Sequence, residues 1–315
     1  MKKTDPWKLA VILLGLILVF MAVKKFRSPR LEGNLPTALT DVDTAKVTDI
    51  IITPAKSRSQ PVRISKAGGW KLMNGTQSLR LEQGAGSNAL RMLMNLRPER
   101  MVSKRREKWN ELNVGDSTGT RVQLMAGTSV EADLVIGRSG FGQTPTASYG
   151  GPAYTYVRLY DEPEVYAVGG FFDAQFNRSI DDWRDKAFLR LKKDSVTRIS
   201  FQYPADSSFV IERRDGKWLI GNELADSSAV KSYLSGMEYR NAASFAPVAP
   251  TGSPLVSVIF EQNSKRLATI DAWPTETDWS VRSSHQPETF FSMDGATRKD
   301  VFGFRKRFIP AEKRK

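Results

Sequence analysis

Three carboxylates lie within the segment "SIDDWRDK", at Asp181, Asp182 and Asp185. Paired carboxylates of this kind can perform general acid–base chemistry. The segment also fits a capped helical turn, in which Ser179 is the N-cap and Asp182 lies near the positive end of the helix dipole. We favour this second interpretation, because it also accounts for Trp183 as a residue that packs inward. The structural motif that we predict here comprises Trp183, Arg184, Asp185 and Lys186.

The sequence contains few other groups that could support catalysis or metal binding. It has no cysteine, which excludes disulfides, thiolate metal sites and a cysteine nucleophile. His285 is the only histidine, and it precedes Pro287 at a predicted turn. The glycine-rich stretch 137–154 lacks the phosphate-loop pattern, so we interpret it as a flexible hairpin loop that could form a contact surface. We therefore predict no catalytic residue, no metal site, no cofactor and no enzymatic activity.

Two tryptophans occupy equivalent positions beside glycine turns, in "GGWKL" and "DGKWLI". Aromatic rings at such positions can form a stacking platform for sugars. However, binding residues need not be duplicated, whereas each copy of a repeated module needs its own core residues. We therefore predict that Trp70 and Trp218 are structural.

The tryptophans belong to a longer pattern that the chain contains twice. "VRLYDEPEVYAV" begins at Val157 and "VRSSHQPETFFS" at Val281, with Val-Arg and Pro-Glu in the same register. "VTDIIIT" and "VTRISFQ" both show the alternation of a strand. "GSNALRMLM" and "DSSAVKSYL" both predict a serine-capped helix. We predict an α+β fold with two tandem copies of a small, mostly antiparallel module, at residues 47–178 and 179–304.

The formal net charge is +13, and most of it lies in the end segments 1–30 and 298–315. A nucleic-acid-binding protein would be expected to spread its charge over a folded face, so we predict no nucleic-acid partner. Basic ends beside an apolar segment favour an anionic lipid surface instead. We interpret residues 305–315 as a basic tail. Its candidate contacts with a membrane or a partner are Arg305, Lys306 and Arg307.

An uncharged apolar run near the N-terminus predicts a transmembrane anchor at residues 9–26. A tryptophan precedes the run and two lysines end it, and both residue types suit the interface between membrane and water. A cleaved signal peptide is the alternative, but no small-x-small cleavage site precedes the lysines. The residues that we assign to the anchor are Trp7, Leu9, Val23, Lys24 and Lys25.

The segments on either side of the anchor complete the predicted organisation. Residues 1–8 form an N-terminal stub, and residues 27–46 form a stalk that contains proline and glycine. Basic residues flank the apolar run on both sides, so the positive-inside rule gives no direction. A charged stub, an apolar run and a large body are typical of a signal anchor. We therefore expect a single-pass membrane protein with its N-terminus inside and the bulk of the chain outside.

Several stretches carry a family resemblance: "WRDKAFLRLKKDSVTRISF", "GGWKL", "DGKWLI", "ADSSAVKSYL" and "YVRLYDEPEVYAV". Over most of residues 46–245 they resemble the DUF4340 family of bacterial membrane-anchored proteins. Members of such families are often encoded beside gliding-type ABC transporter components. The resemblance therefore implies an auxiliary role in an ABC-type transport system, and it supplies no catalytic residues.

Together with the resemblance, these features predict a non-enzymatic subunit that acts through protein–protein contacts. We expect a single-pass protein of the bacterial inner membrane, with the bulk of the chain in the periplasm. The expected partners are an ABC-type permease or ATPase, or related membrane proteins, and membrane lipid. The alternative is a cell-envelope module that recognises a glycan or peptidoglycan fragment through aromatic residues.

Overall fold

The computed structural model describes residues 35–142 and 151–310, and it divides the chain into two compact units between Arg184 and Asp185. Strands account for 42% of the structure and helices for 19%. The predicted α+β class is therefore wrong, because large antiparallel sheets dominate both units. The transmembrane helix of that prediction is not supported either. Among the described residues no helix is long and apolar enough to cross a membrane, and the segment 9–26 lies outside them.

Unit 1, described over 35–142 and 151–184, contains one antiparallel sheet of nine strands in the order β4-β3-β2-β1-β6-β7-β8-β9-β5. Its strands are β1 Asp49–Thr53, β2 Val62–Ser65, β3 Lys71–Asn74, β4 Gln77–Leu79, β5 Pro98–Ser103, β6 Thr120–Ala126, β7 Ser129–Phe141, β8 Ala153–Leu159 and β9 Val165–Gly169. Its helices are α1 Ala85–Met94, α2 Asp173–Phe176 and α3 Ile180–Trp183, with 3-10 turns at Ala55–Ser57 and Arg106–Lys108.

The long arms of β7 and β8 help to explain the error in fold class. The segment 137–154 reads as a loop because it is rich in Gly, Ser and Thr. In the structure β7 continues to Phe141 and β8 begins at Ala153, and the two pair through Ser139 opposite Thr155. Cross-strand hydrogen bonds thus satisfy backbone groups that the sequence pattern had assigned to a loop.

Unit 2, within residues 185–310, contains a second antiparallel sheet of nine strands, in the order β14-β13-β12-β11-β17-β18-β19-β20-β16. Its strands are β11 Arg198–Gln202, β12 Phe209–Arg214, β13 Lys217–Ile220, β14 Glu223–Leu224, β16 Ser244–Phe245, β17 Val256–Gln262, β18 Lys265–Pro274, β19 Trp279–Ser283 and β20 Gln286–Met293. A separate ribbon pairs β10 Ala187–Arg190 with β15 Tyr239–Asn241. The helices are α4 Ser227–Met237 and α5 Gly295–Val301, with 3-10 turns at Lys193–Ser195, Ala205–Ser207 and Arg305–Phe308.

The two sheets share one topology. In each, the first four strands form a meander that leads into a helix, and the sixth strand returns to pair with the first. The helix packs its apolar residues on the sheet in both units. In unit 1, Leu93 of α1 belongs to the core formed with Ile50 and Ile52 of β1. In unit 2, the Tyr233 ring of α4 lies 5.7 Å from the Phe201 ring of β11.

The repeated Val-Arg pair lies at corresponding places in β8 and β19, but the two arginines have different surroundings. The side chain of Arg158 is 0% exposed, whereas that of Arg282 is 38% exposed. The Arg158 guanidinium donates to the carbonyl of Val114 at 3.1 Å and stacks 3.7 Å from the centre of the Trp109 ring. Burial lowers the pKa of Arg158 from its ordinary value. Arg158 therefore fixes the segment before β6 against the sheet of unit 1.

The last helical turn described in each unit has a buried aromatic residue at its end. In unit 1 this turn is α3, and the carbonyl of Trp183 accepts a hydrogen bond from the Glu82 amide at 2.9 Å. In unit 2 it is the 3-10 turn Arg305–Phe308, and the carbonyl of Phe308 accepts from the Asp226 amide at 2.8 Å. We call these segments the closing turns. Residues 305–308 of the expected basic tail are thus part of the folded unit 2.

Candidate functional site

A groove of about 840 Å³ lies at one end of the sheet of unit 2. The loop between β11 and β12, the first residues of β17 and β19, helix α5 and the closing turn form its walls. We call it the unit 2 groove. The side chains that give it its chemical character are Tyr203, Asp206, Phe209, Leu255, Trp279, Arg298, Phe304, Arg305 and Lys306.

One wall of the groove is aromatic. The ring of Tyr203 stacks on that of Phe304, with the centroids 6.3 Å apart. Phe304 is nevertheless 57% exposed, so much of its ring remains accessible. The Tyr203 hydroxyl donates to the carbonyl of Gly303 at 2.8 Å, and burial raises its pKa well above the ordinary value. Tyr203 is therefore held as a neutral hydrogen-bond donor, and an exposed phenylalanine lies against it.

The groove also carries cationic side chains. Arg298 of α5 places its guanidinium 4.9 Å from the centre of the Trp279 ring, and its Nε is buried without a hydrogen-bond partner in the part of the chain that the structure describes. Arg305 and Lys306 are exposed, and within described unit 2 neither side chain contacts a carboxylate. Asp206 is the one acidic side chain among the described residues of the lining. The groove thus has a surplus of positive charge.

Arg307 differs from its two basic neighbours. Its Nη1 donates to the carbonyl of Asp300 at 3.2 Å, and its guanidinium lies 5.3 Å from the centre of the Tyr233 ring. Unit 2 itself therefore holds this side chain. Of the three residues predicted as a membrane or partner contact, Arg305 and Lys306 line the groove, whereas Arg307 braces the closing turn.

Buried aromatic rings and a helix cap hold the backbone that carries these side chains. Phe302 and Phe308, on either side of the exposed Phe304, are both fully buried. Gly303 allows this close turn, because a Cβ there would lie 3.1 Å from the ring of Phe308. Helix α5 begins at a capping carboxylate, since Asp294 accepts a hydrogen bond from the Thr297 amide at 2.7 Å. The groove is therefore largely preformed, which lowers the entropic cost of binding.

The corresponding end of the sheet in unit 1 is closed by its own contacts. In the loop between β1 and β2, the amide of Lys56 donates to Asn177 Oδ1 at 3.1 Å. Arg58 donates to the carbonyls of Ser117 and Gly119 at 2.9 and 2.6 Å. These hydrogen bonds join the loop to the segment before β6 and to the residue that follows α2.

The three carboxylates of "SIDDWRDK" have separate structural partners. The Ser179 hydroxyl donates to Asp182 at 2.7 Å in a capping box. Asp181 forms an ion pair with Arg184 at 2.9 Å, and Asp185 accepts from the Ala187 amide at 3.0 Å. Trp183 is buried in unit 1, while Asp185 and Lys186 begin unit 2.

The remaining predicted residues lie away from the unit 2 groove. Trp218 is buried in the core of unit 2. Trp70 is half-buried, and its ring lies so close to α1 that a Cβ on Gly86 would come within 2.4 Å. The backbone amide of His285 donates to Ser283 Oγ at 3.1 Å in the turn between β19 and β20. No group of three or more metal-ligating residues occurs within 35–142 or 151–310. The predicted anchor residues lie outside these ranges.

Sequence reasoning missed the aromatic and cationic members of the groove before the closing turn. Tyr203, Trp279 and Arg298 come from separate segments, so no local spacing joins them. A signal was available in the comparison of the two copies. In the register of the repeated Val-Arg pair, Trp279 stands where the first copy has Thr155. Differences of this kind indicate where duplicated modules have diverged.

Comparisons with known proteins bear on the family of this chain. Comparison with curated proteins and with solved structures gave no match. The model of a family described as "Domain of unknown function (DUF4340)" matches residues 70–255, which is more than half of the chain. The match extends from Trp70, before β3 of unit 1, to Leu255 at the rim of the unit 2 groove. This chain therefore belongs to the DUF4340 family.

Proposed function

We propose that the chain is a non-enzymatic auxiliary subunit that acts through protein–protein contacts, and that the unit 2 groove holds a segment of its partner. The observation that carries this proposal is a preformed groove of about 840 Å³ whose lining combines an exposed aromatic side chain with three cationic side chains. Exposed aromatic and arginine side chains of this kind are common anchors in protein interfaces.

The composition of the groove supports binding more than catalysis. Acid–base catalysis needs a group that can exchange a proton near neutral pH, within reach of the reacting atoms. Burial raises the pKa of Tyr203 further from that range, and its hydroxyl is engaged by Gly303. Arginine remains protonated under the same conditions. These groups can bind and orient a ligand without changing their own protonation.

For the partner we propose the permease-type membrane component of an ABC transport complex, which is the association that the family resemblance implies. The body of the chain then lies at the extracytoplasmic face of the bacterial inner membrane.

Photo-crosslinking in cells tests the proposal. A photoreactive phenylalanine analogue at position 304 should form an adduct that mass spectrometry identifies as an ABC-type permease. Leu224, which is 56% exposed against 57% for Phe304, provides the matched control position. The same analogue at position 224 should form no such adduct. Equal capture at both positions, or no adduct at 304, would contradict the proposed contact.

The aromatic wall also favours a second candidate, a module that binds cell-envelope glycans. Trp279 and Phe304 could stack on sugar rings, which have apolar faces. In this case the full chain should sediment with purified peptidoglycan, and Phe304→Ser should abolish sedimentation. Such a result, together with no protein adduct at position 304, would favour the glycan module over the subunit.

A further inference from the structure

We infer that the segment bound in the unit 2 groove is an acidic peptide that also carries an apolar side chain. Its carboxylates would lie between Arg298, Arg305 and Lys306, and its apolar side chain would lie on Phe304. This inference rests on the proposed function, because it names the chemistry of the partner segment that the groove holds.

The positive charge of the groove favours an acidic ligand. The lining brings together three cations and a single carboxylate, Asp206, among the described residues. A neutral or basic segment would desolvate these cations without providing them with partners, which is costly. A carboxylate would provide the missing acceptors. An acidic segment is therefore the one whose charges offset the desolvation of these cations.

Arg298 is the best-defined position in the groove for a ligand carboxylate. Its guanidinium is held over the ring of Trp279 at 4.9 Å, while its Nε lies buried without an acceptor in the described chain. The two Nη groups of a planar guanidinium fixed in this way form a fork that matches a carboxylate. Because the Trp279 ring already restrains the side chain, little rotamer entropy is lost when an acid binds.

Exposed apolar residues at the rim of the groove favour a segment that carries an apolar side chain. Phe304 and Leu255 both line the groove and both remain exposed. Tyr203 supports one face of Phe304, so the other face is available to a ligand. An aromatic or aliphatic side chain placed there would remove apolar surface from water at the centre of the contact.

The shape of the site favours a peptide over a lipid surface. A bilayer surface would contact the rim of a concave site, whereas an extended chain can enter it and reach Arg298 on the wall. The positive charge is also specific to this unit. The closing turn of unit 1 reads "IDDW" where that of unit 2 reads "RKRF".

Selection from a randomised peptide library displayed on phage, with the full chain as bait, tests the inference. Selected peptides should be rich in Asp and Glu with interspersed apolar residues. A synthetic copy of the best peptide should lose about tenfold in affinity when its Glu residues become Gln, which corresponds to about 1.4 kcal/mol. Arg305→Gln/Lys306→Gln should weaken binding by a similar factor.

A matched control exists in the same unit. Lys265 and Arg266 form another exposed, adjacent basic pair that does not line the groove. Lys265→Gln/Arg266→Gln should therefore leave peptide affinity unchanged. Neutral or basic selected peptides, the absence of any enrichment, or equal effects of the two double variants would overturn the inference.

Two further outcomes separate the possible failures. Binding to phosphatidylglycerol vesicles that depends on Arg305 and Lys306, without any acidic preference among peptides, would show that the groove meets lipid and would overturn the inference. A permease adduct at position 304 without acidic selection would overturn only the ligand chemistry. The absence of that adduct would instead contradict the proposed function.

Discussion

The loop after the first strand of each sheet meets different surroundings in the two units. In unit 1 it is joined to neighbouring segments by Lys56 and by Arg58, which donates to two carbonyls. In unit 2 the corresponding loop carries Tyr203 and forms one wall of a groove. The strand order around both loops is the same. One topology thus supports a closed end in one copy and an open end in the other.

Under the proposed function, this difference divides two tasks between two units of one topology. In unit 1 the polar groups at the sheet end form hydrogen bonds with one another, which favours stability. In unit 2 the cations of the groove lack carboxylate partners within the described part of that unit, so they remain available to a ligand. Function is therefore better sought where the copies differ than where they agree.

The largest expected effect comes from removing the ring of Phe308, which holds the closing turn of unit 2 in the core. Phe308→Ala should destabilise unit 2 by about 3–5 kcal/mol, because it deletes a fully buried aromatic ring. Phe304→Ala, four residues earlier, should change stability by less than about 0.5 kcal/mol while weakening partner binding. Urea unfolding checks both values. Similar destabilisation by the two changes would contradict the distinction between core and groove.

A somewhat smaller effect is expected for the repeated arginine. Arg158→Leu should cost about 2–4 kcal/mol, since it leaves buried carbonyls such as that of Val114 without a donor. Arg282→Leu is the matched change in unit 2 and should cost less than about 1 kcal/mol, because its pair with Asp271 is partly exposed. Equal costs in urea unfolding would show that the two positions are not distinguished by burial.

The closed end of unit 1 can be opened selectively. Arg58→Gln removes the donors to the carbonyls of Ser117 and Gly119 and should cost about 1 kcal/mol. Hydrogen exchange should then accelerate for amides of residues 115–119 and remain unchanged for the closing turn of unit 2. Unchanged exchange in 115–119 would mean that Arg58 does not hold this end closed.

The smallest expected effect is the loss of the Asp294 helix cap at low pH. Hydrogen bonds, above all that from the Thr297 amide, lower the pKa of Asp294 at the start of α5. The stabilisation from this cap is therefore complete above the ordinary carboxyl pKa and is lost as the pH falls through the lowered folded value. Helix α2 of unit 1 has no side-chain cap, so no matching response is expected there.

Amide NMR of Thr297 during an acid titration checks this prediction. The Asp294→Asn variant keeps an acceptor at the N-cap but does not titrate, so its Thr297 amide should be insensitive to acid. A response that persists in Asp294→Asn would have to come from another group.

Much of the local structure could be predicted from periodicity. Alternation in "VTDIIIT" predicted a strand, and β1 covers Asp49–Thr53. The serine caps were less accurate, since α1 begins after Gly84 and the N-cap of α4 is Asp226. Serine, aspartate and glycine all suit helix starts, so sequence alone does not select among neighbours.

The fold class and the site could not be obtained in the same way. The balance of helix and strand depends on pairing between distant segments, as in β5 with β9, which no local pattern contains. The groove depends on where Tyr203, Trp279 and Arg298 meet after folding. Only the basic run at Arg305 and Lys306 was visible in advance, and its place in the folded unit was not.

The closing turn of unit 1 has a consequence for the order of folding during synthesis. The hydrogen bond from Glu82 to the carbonyl of Trp183 joins two points about a hundred residues apart, yet both belong to unit 1. Every residue of this core is therefore translated before Asp185. Unit 1 can bury Trp183 and complete its sheet while the ribosome is still producing unit 2. The nascent chain thereby presents one sheet of unpaired strands at a time, which limits mispairing between two modules of identical topology.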